Sequence, residues 1–201
     1  EDIVKGDPEK ARQEFNLSPS KKVILVLGGS LGARNLNNKL LNILPELLKK
    51  YQNIHQTGEA HFDEVRKRAG ELGIKPGRDG YSIVAFYGDE IKDMLALADL
   101  VISRAGASNI SEIAATGKVA ILVPLESAAN DHQRMNAYTL AKIGACIVLE
   151  ENNLGENMFL TKVDELMDNV ELREKMISNV KAFYRPDATD KIAEGVLGMI
   201  S

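Results

Sequence analysis

Short apolar runs alternate with amphipathic stretches along this chain, and the alternation predicts an α/β protein. Lys22 to Leu27 reads KVILVL, a β-branched run of the kind found in buried strands. A helix follows over 34–49, in which Leu36, Leu40, Leu41, Leu44 and Leu47 recur at helical spacing. Further strands are predicted over 52–56, 81–86, 99–103, 119–123 and 145–149, with helices over 60–73, 90–97, 109–116 and 131–143 between them. Three helical segments close the chain, over 156–169, 171–183 and 187–200, and a short one over 7–15 opens it. Asp7 is placed to cap that first helix, with Pro8 at its first position. Apolar strands alternating with helices predict about six parallel strands with helices on both faces, wound as one doubly wound, Rossmann-like domain. No linker, repeat or low-complexity stretch divides residues 1–201; residues 1–20 form a lead-in and 187–200 a C-terminal helix.

Ligands of such sheets bind outside the carboxyl ends of the strands, so the loops there carry the candidate chemistry. The first strand runs into Leu27-Gly28-Gly29-Ser30-Leu31-Gly32-Ala33-Arg34. Strand, glycine turn and helix together aim free backbone N–H groups at an anion, commonly a phosphate, and Ser30 adds a hydroxyl donor. The alternative is a tight turn that needs glycine only for its backbone shape. The turn lacks the Gly-Lys-Ser/Thr ending of a Walker A loop. It also lacks the three-glycine dinucleotide spacing, and the second strand ends His55-Gln56-Thr57-Gly58 with no carboxylate for an NAD ribose.

The fourth strand enters a second small-residue turn, Arg104-Ala105-Gly106-Ala107-Ser108-Asn109, before a helix carrying Glu112. The N–H groups of this turn can take a second phosphate, and Arg104 can add positive charge or form a surface salt bridge. Glu112 can accept from ribose hydroxyls, or close a capping box with Asn109. After the fifth strand a polar loop holds Glu126, Asn130, Asp131, His132 and Gln133, with Asn136 and Ala137 beyond. Amide and imidazole groups both donate and accept, which suits sugar hydroxyls; the plain alternative is an N-cap with a solvated first turn. The third strand ends Ala85-Phe86-Tyr87-Gly88, where a backbone segment beside an aromatic can hold a flat base, or the aromatic can pack in the core.

Composition narrows the picture. A formal charge of −4, no Trp and few aromatics argue against a nucleic-acid surface. The single cysteine, Cys146, lies in an apolar run and reads as a buried, reduced thiol. The three histidines, His55, His61 and His132, share no metal-ligand spacing with other donors. No run of about 18 apolar residues is present and the polar start is no signal peptide, which predicts a soluble, cytoplasmic protein.

Taken together, Gly28-Gly29-Ser30-Leu31-Gly32-Ala33-Arg34 with Asn37, His55-Gln56-Thr57-Gly58, Ala98 to Ala107, Ser111-Glu112-Ile113, Asp131-His132-Gln133 with Asn136-Ala137, and Pro186-Asp187-Ala188 resemble the MurG family. These are the peptidoglycan N-acetylglucosaminyltransferases that act on lipid I. The family commonly has Gln where this chain has Leu31 and Pro where it has Val119; if that Gln helps at the phosphates, its contact is absent here.

The resemblance covers the second half of the family's length and implies the C-terminal, donor-binding half of a GT-B glycosyltransferase. It implies an absent N-terminal acceptor domain carrying the general base and the membrane-associating patch. A start at Glu1 fits a piece of a longer chain on that reading. It implies UDP-GlcNAc or UDP as ligand, lipid I as acceptor through the other half, no nucleic-acid partner, and membrane contact only in the full-length protein. Gly88 would meet uracil through its backbone and Glu112 the ribose. Ser30 and the N–H groups of Ala107 and Ser108 would hold the diphosphate, and Ala107, His132 and Gln133 would read the sugar. The implied chemistry is inverting transfer of GlcNAc to the muramoyl 4-hydroxyl, with no cofactor and no Asp-x-Asp metal pair near the site. The fragment alone is expected to be inactive. Two other readings stay open: a glycolipid transferase using UDP-glucose or UDP-galactose, and a non-catalytic nucleotide-sugar module.

Overall fold

In the computed structural model, which describes residues 2–29, 32–125 and 131–200, six parallel strands form one sheet. They are β1 (Val23–Leu27), β2 (Gln52–Gln56), β3 (Tyr81–Val84), β4 (Leu100–Ser103), β5 (Ala120–Leu122) and β6 (Ile147–Val148). Their spatial order is β3-β2-β1-β4-β5-β6, so the chain reverses its direction of growth between β1 and β4. Doubly wound sheets open a crevice at such a switch point. The register sets Leu27 beside both Gln56 and Ser103, which brings three strand ends level there.

The helices are α1 (Pro8–Glu14), α2 (Arg34–Lys50), α3 (Phe62–Glu71), α4 (Ile91–Leu97), α5 (Ala107–Thr116), α6 (His132–Lys142), α7 (Glu156–Asp168), α8 (Val170–Phe183) and α9 (Ala188–Ile200). Successive strand side chains point to opposite faces, and both faces of β1 are covered. Val23, Leu25 and Leu27 pack with Met94 and Leu95 of α4 and Ile110 and Ile113 of α5. Ile24 and Val26 pack with Leu36 and Leu40 of α2 and Phe159 and Val163 of α7. Burying each such aliphatic side chain contributes roughly 2 kcal/mol, which is why a strand between two helical layers is apolar at every position.

The lead-in is tied down by polar contacts. Asp7 caps α1, accepting from the backbone N–H groups of Glu9 and Lys10 at 2.9 and 3.3 Å. Asp93 of α4 accepts from the Asp7 N–H at 2.8 Å and from Lys10 Nζ at 2.7 Å. Cys146 is buried, and burial pushes its thiol up to about 12.

Element ends move in two informative places. β3 stops at Val84 rather than 86, because the next residues turn toward the cleft. The fourth-strand helix starts at Ala107 rather than 109, with Gly106 as its N-cap. The capping box proposed between Asn109 and Glu112 is therefore absent. Asn109 is buried inside the helix, and its Nδ2 donates to Ser103 Oγ at 2.7 Å.

Candidate donor cleft at the switch point

The turn after β1 is shaped by glycine in two different ways. Gly29 (φ +83°) and Gly32 (φ +74°) lie in the left-handed region that disfavours other residues. Gly32 also has no room for a side chain: a Cβ there would lie 2.5 Å from the Thr57 carbonyl oxygen and 2.8 Å from the His61 ring. The three glycine N–H groups face protein acceptors. Gly28 donates to the Gln56 carbonyl (3.2 Å), Gly32 to the Gly29 carbonyl (2.9 Å) and Gly29 to Gln56 Oε1 (3.0 Å). The turn was expected to aim these groups at an anion; instead they hold the turn closed, because the neighbouring strand end is near enough to use them. Ser30, the hydroxyl expected at a phosphate, lies outside the described residues.

A buried polar chain supports this turn from β2. Asn37 Nδ2 donates to the Thr57 carbonyl at 3.0 Å, which leaves Asn37 Oδ1 as an acceptor 3.0 Å from His55 Nε2. His55 therefore carries its proton on Nε2, and Tyr81 donates its hydroxyl to Nδ1 across 2.8 Å. Burial holds His55 neutral, its acid form pushed down to about 3.

The turn after β4 is where donors open outward. No side chain caps α5, so the N–H groups of Ala107, Ser108 and Asn109 lack acceptors within the helix. They carry the positive end of its dipole, and all three residues line the cleft. Glu112 lies about 7.5 Å further along the axis, on the cleft wall. Its Oε2 is buried without a hydrogen-bond partner, and desolvation raises its carboxyl above the ordinary value.

Arg104 departs from both readings of the sequence. It lines the cleft, yet it is neither a free cation nor a surface salt bridge. Its guanidinium donates to the carbonyls of Val123 (3.1 Å) and Pro124 (3.3 Å) and pairs with Glu151. Both side chains are buried, because Glu151 follows β6 and folds back under the β5 end. Glu151 also accepts from Asn35 Nδ2 at 3.4 Å. Nothing in the sequence pattern had singled out Glu151.

On the β5 side, Gln133 lines the cleft and its Oε1 accepts from the Leu125 N–H at 3.0 Å. Only oxygen can accept from that N–H, so the Gln133 amide nitrogen is the group left to meet a ligand. Asn136 Nδ2 donates to the Ala105 carbonyl at 3.2 Å, bracing the approach to α5. His132 is exposed and stands apart from the cleft-lining residues. Asp131 occupies the N-cap position of α6 but in a left-handed conformation (φ 57°), and its side chain makes no capping bond. Residues 126–130 of the same loop lie outside the described residues. On the β3 side, Phe86 is 56% exposed and stacks on Tyr87 with ring centroids 5.8 Å apart, so it does not pack in the core. Gly88 is exposed and its carbonyl accepts from the Ile91 N–H at 3.3 Å. Gly88 does not line the cleft; Phe86 and Tyr87 do.

These loops enclose about 380 Å³ at the carboxyl ends of β1 to β5, within the range of small-molecule sites. Among the described residues no group of His, Cys, Asp and Glu is arranged to hold a metal ion. Among the described residues no helix is long and apolar enough to cross a membrane.

A doubly wound sheet with an anion-suited helix end opening into its switch-point cleft defines the class of Rossmann-type ligand-binding domains. Within that class, residues 23–192 match the glycosyltransferase family 28 C-terminal domain, and the chain belongs to that family. It is 37% identical over all 201 residues to a UDP-N-acetylglucosamine–N-acetylmuramyl-(pentapeptide) pyrophosphoryl-undecaprenol N-acetylglucosamine transferase of Clostridium perfringens strain 13, covering 51% of that protein. The namesake of Thermodesulfovibrio yellowstonii is 37% identical over 195 residues, with 52% of its length covered. The chain thus spans about half the length of the curated relatives it matches. Among solved structures, MurG of Acinetobacter baumannii superposes with a TM-score of 0.77 at 27% identity, over 98% of this chain and 55% of that one. The C-terminal CMP-Kdo binding domain of WaaA from the same organism aligns with a TM-score of 0.67 at 13% identity, over 89% of this chain and 95% of that one, a likeness of fold alone.

Proposed function

We propose that this chain is the donor-binding half of an inverting glycosyltransferase that moves GlcNAc from UDP-GlcNAc to the muramoyl 4-hydroxyl of lipid I, yielding lipid II for peptidoglycan. The observation that carries the reading is the pairing on α5. Three uncapped N–H groups open into the cleft, and Glu112, with an unpartnered buried carboxylate oxygen, sits about 7.5 Å along the same helix. A diphosphate on the helix end sets the adjoining ribose beside an acceptor that needs hydroxyl donors. Relatives named for transfer of N-acetylglucosamine to N-acetylmuramyl-(pentapeptide) pyrophosphoryl-undecaprenol support this choice of donor and acceptor.

In this reading the bond from the anomeric carbon to the diphosphate oxygen breaks as the acceptor oxygen attacks from the opposite face. The new negative charge on UDP is met by the N–H groups of Ala107, Ser108 and Asn109, already oriented before the reaction. Ser30 is assigned to the same diphosphate. The Gln133 amide nitrogen and the Ala107 backbone are assigned to the sugar, His132 only to a part of it that projects beyond the cleft, and the backbone near Gly88, beside Phe86 and Tyr87, to uracil. The reading asks for no cofactor. The general base, the lipid I site and contact with the cytoplasmic face of the membrane belong to the half of the enzyme that its longer relatives have in addition.

Titration calorimetry on the chain tests this. UDP and UDP-GlcNAc are expected to bind, UDP-glucose more weakly, and a lipid I analogue is expected to go unconverted. Absence of binding by any uridine diphosphate overturns the assignment of the cleft. Equal affinity for UDP-glucose removes GlcNAc from it.

A further inference from the structure

We infer that Gln56 is a positioning residue for the donor, tying the phosphate-side turn to the base-side loop; this rests on the reading of the cleft as a UDP-sugar site. Gln56 ends β2 with its side chain fully buried at the cleft. A buried amide is costly unless its groups are paired, and this one is paired on both sides. Oε1 accepts from the Gly29 N–H at 3.0 Å, while Nε2 donates to the Gly29 carbonyl at 3.0 Å and to the Ala85 carbonyl at 3.3 Å.

The need for glutamine follows from the backbone. Gly29 turns away from the sheet at φ +83°, so no main-chain group of β2 reaches its N–H and carbonyl. A planar amide, donor and acceptor side by side, supplies one more rung in place of the strand. Carboxylate cannot donate and an apolar side chain can do neither. The rung has two consequences for the cleft. It consumes the Gly29 N–H, which leaves the α5 end as the place for the diphosphate. It also fixes Ala85, the residue before the stacked Phe86 and Tyr87, relative to the glycine turn. Nucleotide base and diphosphate are thus held in one geometry by a residue assigned no contact with either.

The test compares wild type, Gln56→Glu and Gln56→Met by calorimetry with UDP-GlcNAc at pH 5 and pH 8, with circular dichroism to confirm folding. UDP-GlcNAc is a diphosphate diester and does not titrate between these values. Among the described residues Arg104, Glu112 and Tyr87 are the ionisable groups lining the cleft, and His55, the preceding residue of β2, points to the opposite face toward Asn37 and Tyr81. Expressing each variant relative to wild type at the same pH controls for them. At pH 8 the ionised Gln56→Glu is expected to bind roughly tenfold or more weakly, the equivalent of one or two lost hydrogen bonds. At pH 5 a larger part of this buried carboxyl, which faces the Gly29 and Ala85 carbonyls, is protonated and regains one donor, so the ratio to wild type should be smaller than at pH 8. Gln56→Met, similar in shape but without hydrogen bonds, is expected to be weakened at both pH values alike. Wild-type affinity in both variants while wild type itself binds overturns the role of Gln56 and leaves the cleft assignment standing. No binding by wild type overturns both.

Discussion

Arg104 and Glu151 form an ion pair beneath the cleft with both side chains almost wholly shielded from solvent. The pair joins the end of β4 to the segment after β6, and through the Val123 and Pro124 carbonyls it holds the end of β5 as well. A buried pair of this kind is weak evidence of net stabilisation, but removing one member strands the other charge. Glu151→Ala is accordingly expected to destabilise the chain by about 3–5 kcal/mol. Urea denaturation gives the number; a loss below about 1 kcal/mol means that water or another acceptor satisfies the Arg104 guanidinium once Glu151 is removed.

Glu112 yields a prediction with opposite signs for stability and binding. Its carboxyl is raised in the folded state by desolvation. Between the ordinary glutamate value of about 4.3 and that raised value, the folded chain binds more protons than the unfolded one. The contribution to stability is therefore full below the ordinary value and is lost as pH rises through the raised one. Glu112→Gln should be the more stable protein at pH 8, with the advantage gone at pH 4. Donor binding should run the other way, strengthening with pH in wild type as the acceptor ionises. It should fall by roughly 1–3 kcal/mol in Glu112→Ala. Calorimetry with UDP and 2′-deoxy-UDP checks the ribose contact: both should bind Glu112→Ala alike.

His55 should make the fold sensitive to acid. Buried and neutral, it protonates only near 3 in the folded state, against about 6.5 when unfolded. The unfolded chain binds the extra proton between those values, so stability falls as pH drops below about 6.5. One such group removes about 2 kcal/mol between pH 6.5 and pH 5. Urea titrations at the two pH values, in wild type and His55→Gln, isolate it; an equal pH dependence in both proteins rules out His55 as the source.

The two left-handed glycines should differ in cost. Gly29→Ala meets backbone strain of about 1–2 kcal/mol, since nothing lies within 4 Å of the added carbon. Gly32→Ala meets the same strain and a contact of 2.5 Å with the Thr57 carbonyl oxygen, so the turn or the β2 loop must shift. Thermal denaturation is expected to show Gly32→Ala as clearly the less stable. A reversed order means the turn relaxes at Gly32 more easily than its packing implies.

Apolar periodicity along the chain determined the order of strands and helices along the sequence and their parallel pairing, and it located the strand ends that carry the loops to within a residue or two. These follow from local patterns: β-branched runs, helical spacing, and glycines where the backbone must turn. The chain also determined which loop residues came under suspicion, and Glu112, Gln133, Ala107 and Ser108 do meet at one cleft. Tertiary structure decided what each group is free to do. The glycine N–H groups look open in sequence but close onto Gln56, 27 residues away. Arg104 looks like an available cation but is neutralised by Glu151, 47 residues away. The Asn109–Glu112 spacing fits a cap, yet packing of α5 on β4 gives the Asn109 amide a buried partner in Ser103 and moves the helix start to Ala107. Whether a donor, an acceptor or a charge is available to a ligand depends on whether the fold has already satisfied it, and such partners come from distant strands that no local pattern records.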